Sequence, residues 1–369
     1  MPITMGCDPS GLEAKRKRID ELDRKIVDLL NARAKVVVEI GRIKIGDQAP
    51  IYAPDREQTV LEQVRRHNRG PLPDSCVEAV WRELMSGSFA LERPLRIGYL
   101  GPAGSFSHLA ARLKFGASVG YDDMDSIRSV FDAMARGRID LGLVPIENSS
   151  HGGIGETLDC FLETPARVCA EVLVAVRHNL LANCELDQIK RVYSKPEALS
   201  QCRGWLSANL RDVEQMAAAS TSSAAELAAG SKDGGGGDAA IASRLAAEIY
   251  GVRVLCENIE DNPNNVTRFF VISSQSARST GYDKTAIMFT TAHVAGALAN
   301  VLDTLREHGL NLTHIDKRPS KRVNWEYYFF VDFEGHESDQ GVARAIEAAR
   351  AHCLHLTVLG SFPLAREVI

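Results

Sequence analysis

The chain has 369 residues, a length at which one hydrophobic core usually gives way to two or three. Hydrophobic residues make up 45% and charged ones 25%, which excludes a disordered chain. Lys and Arg total 43 against 48 Asp and Glu, so the basic excess that a nucleic-acid binder needs is absent. Cys7, Cys76, Cys160, Cys169, Cys184, Cys202, Cys256 and Cys353 form no C-x-x-C pair. They read as thiols of a reducing cytoplasm, with neither a metal site nor a disulfide framework expected. Met1 to Ser10 hold no apolar leader core, and no stretch approaches the ~18 apolar residues of a membrane span. A cytoplasmic protein that binds neither nucleic acid nor membrane is the expectation.

From Leu12 to about Gly46 there is no proline, and Ile19, Leu22, Ile26, Leu30, Val37 and Ile40 recur at helical spacing. Such a helix is a rod of roughly 50 Å, longer than the small domain it belongs to, and it needs a partner. Pro54 opens a second helix that runs to about Asn68 and stops at Gly70-Pro71-Leu72-Pro73. A third starts at Asp74, with Val77, Trp81, Leu84 and Ser88 on one face. Residues 11 to 92 are expected to be all helical.

The apolar stripe of the first helix, followed at steps of three and four, also passes through Arg33 and Lys44, and Arg16 extends it towards the N-terminus. Cations facing a core need counter-charges or a bound anion. Ion pairs between helices would satisfy one of them, whereas three on one stripe favour an anion pocket. Asp55-Arg56-Glu57 begins the second helix, and Ser88 and Glu92 lie four apart on the third. A small dicarboxylate is the ligand these groups suit.

From Pro94 onward short apolar runs alternate with helical segments, the pattern of α/β architecture: Arg96–Leu100, Leu141–Ile146, Val168–Val176, Ala239–Ala242 and Phe269–Ile272. Gly230 to Gly237 reads as a surface loop. Gly101-Pro102-Ala103-Gly104-Ser105-Phe106-Ser107-His108 is a strand-to-helix turn that offers free N–H groups to an anion, yet it matches no nucleotide-binding pattern. Pro145-Ile146-Glu147-Asn148-Ser149, Ser220-Thr221-Ser222 and Asn265-Val266-Thr267-Arg268-Phe269 also lie at element ends, where open α/β sheets bind ligands. Each alone is explained equally well by capping or turn chemistry. After a polar linker, Ser273 to Gly281, the chain reads strand, helix, strand, strand, helix, strand, the ferredoxin-like plan.

The spacing Arg16, Asp20, Asp23, Arg33, Lys44, Arg56, Glu57 and Ser88 resembles the helical chorismate mutase domain. The G-P-x-G-[TS]-F, P-I-E-N-S, S-T and T-R-F motifs, in that order, resemble the prephenate dehydratase domain. Gly296-Ala297-Leu298 and Asp316-Lys317-Arg318-Pro319 resemble the ligand motifs of an ACT regulatory domain. Together they resemble the bifunctional chorismate mutase/prephenate dehydratase family, which implies three domains, at 11–92, 95–273 and 284–369. The middle one would have two subdomains of the periplasmic-binding type with the site between them.

In the mutase, the resemblance implies that Arg33 and a partner subunit's copy of Arg16 bind substrate carboxylates. Lys44 and Glu92 would hydrogen-bond the ether oxygen of chorismate, while Arg56, Glu57 and Ser88 position the substrate. In the dehydratase, Thr267 would protonate the departing hydroxyl of prephenate, Arg268 would hold a carboxylate, and Ser105, Ser107, Asn148, Ser149, Ser220 and Thr221 would bind the rest. Phenylalanine would bind at Gly296, Ala297, Leu298, Asp316 and Arg318 between paired domains of a homodimer or larger oligomer. Neither metal nor cofactor is implied. Ala53 stands where the family often has aspartate, and Lys195 and Glu197 where histidine and glutamine are common. Two alternatives stay open from the residues: a dehydratase whose mutase domain has decayed, and an amino-acid sensor without chemistry.

Overall fold

The computed structural model describes residues 9–46, 52–230, 236–320 and 326–369, so most of the glycine-rich loop at 230–237 lies outside the described residues. Three helices come first: α1 (Pro9–Gly46), α2 (Pro54–His67) and α3 (Asp74–Glu92). The second half of α1 meets α3, and α2 packs on α3. Ile19, Leu22, Ile26 and Ile40, expected in a core, are between 43% and 56% exposed. Periodicity identifies the apolar face of a helix, but among the described residues of a single chain nothing covers that face along most of α1.

The middle of the chain forms two lobes. The first contains β1 (Arg96–Leu100), α4 (Phe106–Phe115), β2 (Gly120–Met124), α5 (Ile127–Ala135), β3 (Leu141–Asn148), β4 (Gly152–Gly153), α6 (Gly155–Glu163) and β5 (Arg167–Ala175). The second contains β6 (Asn179–Ala182), β7 (Arg191–Ser194), α7 (Pro196–Gln201), α8 (Arg203–Asn209), β8 (Glu214–Ala217), α9 (Thr221–Gly230), β9 (Asp238–Ala242), α10 (Arg244–Tyr250) and β10 (Val254–Cys256). The chain then returns through β11 (Val266–Ser273), which inserts antiparallel between β3 and β5. The sheets run β2-β1-β3-β11-β5 and β10-β6-β9-β7-β8. The chain therefore crosses between lobes twice, after β5 and before β11, as a two-lobed binding fold requires.

The C-terminal part comprises β12 (Asp283–Thr290), α11 (Ala297–Glu307), β13 (Leu312–Pro319), β14 (Tyr327–Glu334), α12 (Gln340–Arg350) and β15 (His355–Pro363). Its sheet order, β13-β14-β12-β15, is the ferredoxin-like plan expected from the sequence. This part shares a core with the first lobe: Val168 and Phe270 pack in one cluster with Met288, Phe330, Leu359 and Phe362. The helical part is tied to the same lobe by polar contacts. Glu83 accepts from Ala117 N at 2.9 Å and from Ser118 Oγ at 2.6 Å, and Ser86 Oγ accepts from Ser118 N at 3.0 Å.

Candidate functional site

In the helical part, Arg33 Nη1 donates to Ser88 Oγ at 2.7 Å and Lys44 Nζ donates to Glu92 Oε2 at 2.8 Å. The Glu92 carboxyl is 9% exposed, so this pair is half in the packed seam between α1 and α3. Arg33, Lys44, Ser88 and Glu92 are thus brought together along one seam. Arg56 is exposed at the start of α2. Arg16 lies 17 residues before Arg33, about 25 Å away along the helix axis, so it cannot reach the same small ligand within one chain.

Glu57 is a correction. Its carboxylate accepts from Tyr52 Oη at 2.8 Å and pairs with Lys114 Nζ of α4 at 2.9 Å, so it faces the first lobe instead of the Arg33 seam. Burial, followed by the neighbouring Glu57 charge, pushes the Tyr52 phenol well above its ordinary range. Tyr52 is therefore a lasting donor to Glu57. The charged Asp55 and Glu57 in the first turn of α2 also suit the positive end of the helix. Ala53 occupies the N-cap of α2 and supplies no side-chain cap.

Between the two lobes lies a cleft of about 200 Å³ whose walls include Phe106, Ser107, Asn148, His178, Thr221 and Thr267. Thr267 stands on β11 opposite Asn148 on β3. Asn148 Nδ2 donates to Thr267 Oγ1 at 2.9 Å and to Asn265 Oδ1 at 2.8 Å. Asn265 Nδ2 in turn donates to Gln201 Oε1 at 3.3 Å, and His178 Nε2 contacts that same oxygen at 2.7 Å. An amide oxygen only accepts, so His178 carries its proton on Nε2. Burial holds the imidazole below its usual range, outweighing the pull of Gln201 and Glu260, and the ring stays neutral.

The structure gives other roles to several residues expected in this cleft. Ser105 caps α4, accepting from His108 N at 3.2 Å and donating to Leu100 O at 3.0 Å. Ser149 Oγ latches the loop before β11, accepting from Val266 N at 3.0 Å and donating to Asn264 O at 3.2 Å. Ser220 caps α9, its Oγ accepting from Ser223 N at 2.9 Å. Ser222 donates to Ala103 O and Ser243 Oγ to Gly104 O at 2.9 Å, which binds the second lobe to the first glycine-rich turn.

Arg268 is a second correction. Successive residues of a strand point to opposite faces, so with Thr267 on the cleft side Arg268 projects from the back of the sheet. There it is buried, with Nη2 2.7 Å from Glu171 Oε2 and Nη1 2.6 Å from Asp332 Oδ2 of β14. Lys284 Nζ joins the cluster 3.1 Å from Glu171 Oε1. Arg268 is a strut between the middle and C-terminal parts and does not face the cleft.

In the C-terminal part, Gly296 adopts φ 81° as the N-cap of α11, a conformation open to glycine, and Ala297 and Leu298 form the first turn. On β13, burial alternates residue by residue. His314, Asp316 and Arg318 face the first lobe, where His314 Nδ1 lies 3.2 Å from Glu147 Oε2. Arg318 forms a two-pronged pair with Asp159 of α6, both contacts at 2.9 Å. Gly153 and Gly155 let this strand approach closely, because a β-carbon on either would strike Asp316 or Arg318. The Arg318 side chain is therefore committed to α6, which corrects its expected place in an effector pocket.

Sequence reasoning missed His178 and Gln201, gave Asn265 only as part of the Asn265–Phe269 turn, and noted Lys195 and Glu197 only as departures from the family pattern. Asn265 stands two residues before Thr267, and the repeated polarity of Asn264-Asn265 was the available signal. Among the described residues, no group of His, Cys, Asp and Glu is arranged to hold a metal ion, and no helix is long and apolar enough to cross a membrane.

Three family models match the chain: chorismate mutase type II over residues 15–93, prephenate dehydratase over 97–277 and the ACT domain over 285–351. A bifunctional chorismate mutase/prephenate dehydratase of Stutzerimonas stutzeri is 40% identical over 96% of this chain and 98% of its own length. Among solved structures, a prephenate dehydratase from Arthrobacter aurescens in complex with L-Phe is 32% identical, covering 73% of this chain and 90% of its own, with a TM-score of 0.67. A protein described as a quorum-quenching acylase is 26% identical over 73% of this chain and 98% of its own, also with a TM-score of 0.67.

Proposed function

The chain belongs to the bifunctional chorismate mutase/prephenate dehydratase family, and from that premise we propose how its residues divide the work. The protein rearranges chorismate to prephenate and converts prephenate to phenylpyruvate. In the proposed division, residues 11–92 carry the first reaction, 95–273 the second and 284–369 its control by phenylalanine.

The rearrangement breaks one C–O bond and forms one C–C bond within a single molecule, with no atom gained or lost. It needs a fixed conformer and donors at the oxygen that gains charge. Arg33 and Lys44 supply cations along the α1–α3 seam, with Ser88 and Glu92 held against them. The remaining cation, Arg16, comes from a second copy of the chain. The uncovered apolar face of α1, which includes Ile19, Leu22 and Ile26, supports a homodimer built along this helix.

The second reaction breaks the C–CO2 bond of the ring carboxylate, and its electrons pass through the ring and expel the hydroxyl at the far carbon. That oxygen must receive a proton to leave as water. The observation that carries the assignment is the Asn148 N–H aimed at Thr267 Oγ1 at 2.9 Å in the cleft. An oxygen that accepts this bond keeps its own proton free to point into the cleft, and the donor stabilises the charge left when that proton departs. Water then returns a proton to Thr267. Asn265, Gln201 and His178 hold the Asn148 amide in its orientation.

Phenylalanine acts from the C-terminal part by favouring a less competent arrangement of the two lobes. The Phe-bound relative supports this control. Incubating the protein with chorismate, and following its loss together with the appearance of phenylpyruvate, tests the whole assignment. Turnover of added prephenate with no loss of chorismate would show a decayed mutase, and neither reaction would reject the reading.

A further inference from the structure

Prephenate brings two carboxylates into the cleft, and an anion leaves water at high cost unless a cation or a set of donors meets it. Arg268 cannot serve, because it lies on the back of the sheet between Glu171 and Asp332. His178 is neutral and already donates its proton to Gln201. The remaining walls offer hydroxyls, amides and apolar groups such as Phe106 and Phe269. Among the described residues that line the cleft, one alone is a lysine or arginine: Lys195.

Lys195 precedes Pro196, the first residue of α7, in extended conformation. Its Nζ lies 3.6 Å from Glu197 Oε1, and the two side chains are 52% and 51% exposed. A pair this long and this exposed contributes little and is readily given up. The lysine stem has four flexible carbons and ends in a point charge that can reorient towards a nearby anion. Glu197, on the same wall, repels any anion that enters.

We propose that Lys195 is the cation that receives a substrate carboxylate in the dehydratase cleft, and that Glu197 holds its ammonium in the empty site and is displaced when prephenate binds. The inference deepens the dehydratase reading given above and rests on it. It also predicts opposite effects from two neighbouring residues, which a plain surface ion pair would not produce. An ion pair at a helix start, broken from either side, would cost the same small stability and leave substrate affinity alone.

The test is steady-state kinetics of the full chain with prephenate. Lys195→Met should raise KM about ten-fold or more with kcat within a few-fold, while Lys195→Arg retains most of the affinity. Glu197→Gln should lower KM several-fold. The rise of KM with added salt should flatten in Lys195→Met, because the charge that salt screens is gone. Melting curves and chorismate turnover of the same variants report folding independently. An unchanged KM in a folded Lys195→Met protein, or a KM raised equally by Lys195→Met and Glu197→Gln, would overturn the proposal. Thr267→Ala, run alongside, separates the two failures: loss of kcat there with no effect at Lys195 leaves the dehydratase site standing and removes Lys195 alone.

Discussion

Replacing Arg268 by methionine asks whether this side chain joins two domains or holds substrate. The guanidinium is 9% exposed, Glu171 is fully buried and Asp332 is 5% exposed. Glu171 would keep Lys284 at 3.1 Å and the amide of Ala365 at 2.9 Å. Asp332 would keep no cation among the described residues. Removing one member of a buried pair typically costs about 3–5 kcal/mol, because the other charge is left uncompensated. Since half of the cluster remains satisfied, about 3 kcal/mol is the expectation. At about 2–4 °C per kcal/mol for a unit of this size class, Tm should fall by roughly 6–12 °C. Methionine fills much of the space, so the loss reports charge more than volume. The assay is calorimetric melting of the full chain, with prephenate kinetics measured well below the transition, where KM should stay within a few-fold of the parent. A KM raised ten-fold or more with Tm unchanged would show that Arg268 holds a carboxylate and refute the strut. Asp332→Asn should also lower Tm, and the double variant should lose less than the sum, because the two changes remove one shared contact.

Arg33→Ala should reduce chorismate turnover ~100-fold or more while leaving prephenate turnover near the parent value, and equal damage to both reactions would reject the separation of sites. Thr267→Ala should lose dehydratase kcat, Thr267→Ser should keep part of it, and Asn148→Ala should lower kcat more than it raises KM; full activity in Thr267→Ala would exclude it as the acid. His108 and His178 are both held below the usual imidazole range, chiefly by burial. With depressed folded values, the unfolded chain takes up protons first as pH falls, so stability present above about pH 6.5 declines below it. The drop in Tm between about pH 7.5 and about pH 5.5 should therefore be smaller in His178→Gln, and an identical drop would remove this residue from the account. Arg318→Met should leave phenylalanine binding detectable by calorimetry while weakening inhibition, a coupling typically about 1–3 kcal/mol, because β13 loses its grip on α6. Undiminished inhibition would place the coupling elsewhere.

Helix spacing alone revealed α1, α2 and α3, and alternation of short runs with helices revealed the α/β middle, because long periodic segments advertise themselves. Strands such as β2, with Asp122 and Asp123 in a five-residue run, do not, since a strand at a sheet edge needs no apolar alternation. The four polar turns all border the cleft between the lobes. They could not say which hydroxyls would be spent on local structure, and Ser105 and Ser220 became caps. The place of Arg268 was legible in principle: in a strand, Thr267 and its immediate neighbour cannot both face one cleft. His178 precedes β6, Gln201 ends α7 and Asn265 precedes β11, three stretches with no shared motif, so only the folded chain assembles them.

The bare apolar stripe on α1 has a consequence for how the two reactions respond to protein concentration. If Arg16 must arrive from a second copy, mutase output per chain follows the fraction of chains that have found a partner, and it falls on dilution below the dimer's Kd. The proposed dehydratase cleft lies between two lobes of the same chain and would keep its output under the same dilution. A scarce population of this protein would then finish prephenate made elsewhere while making little of its own.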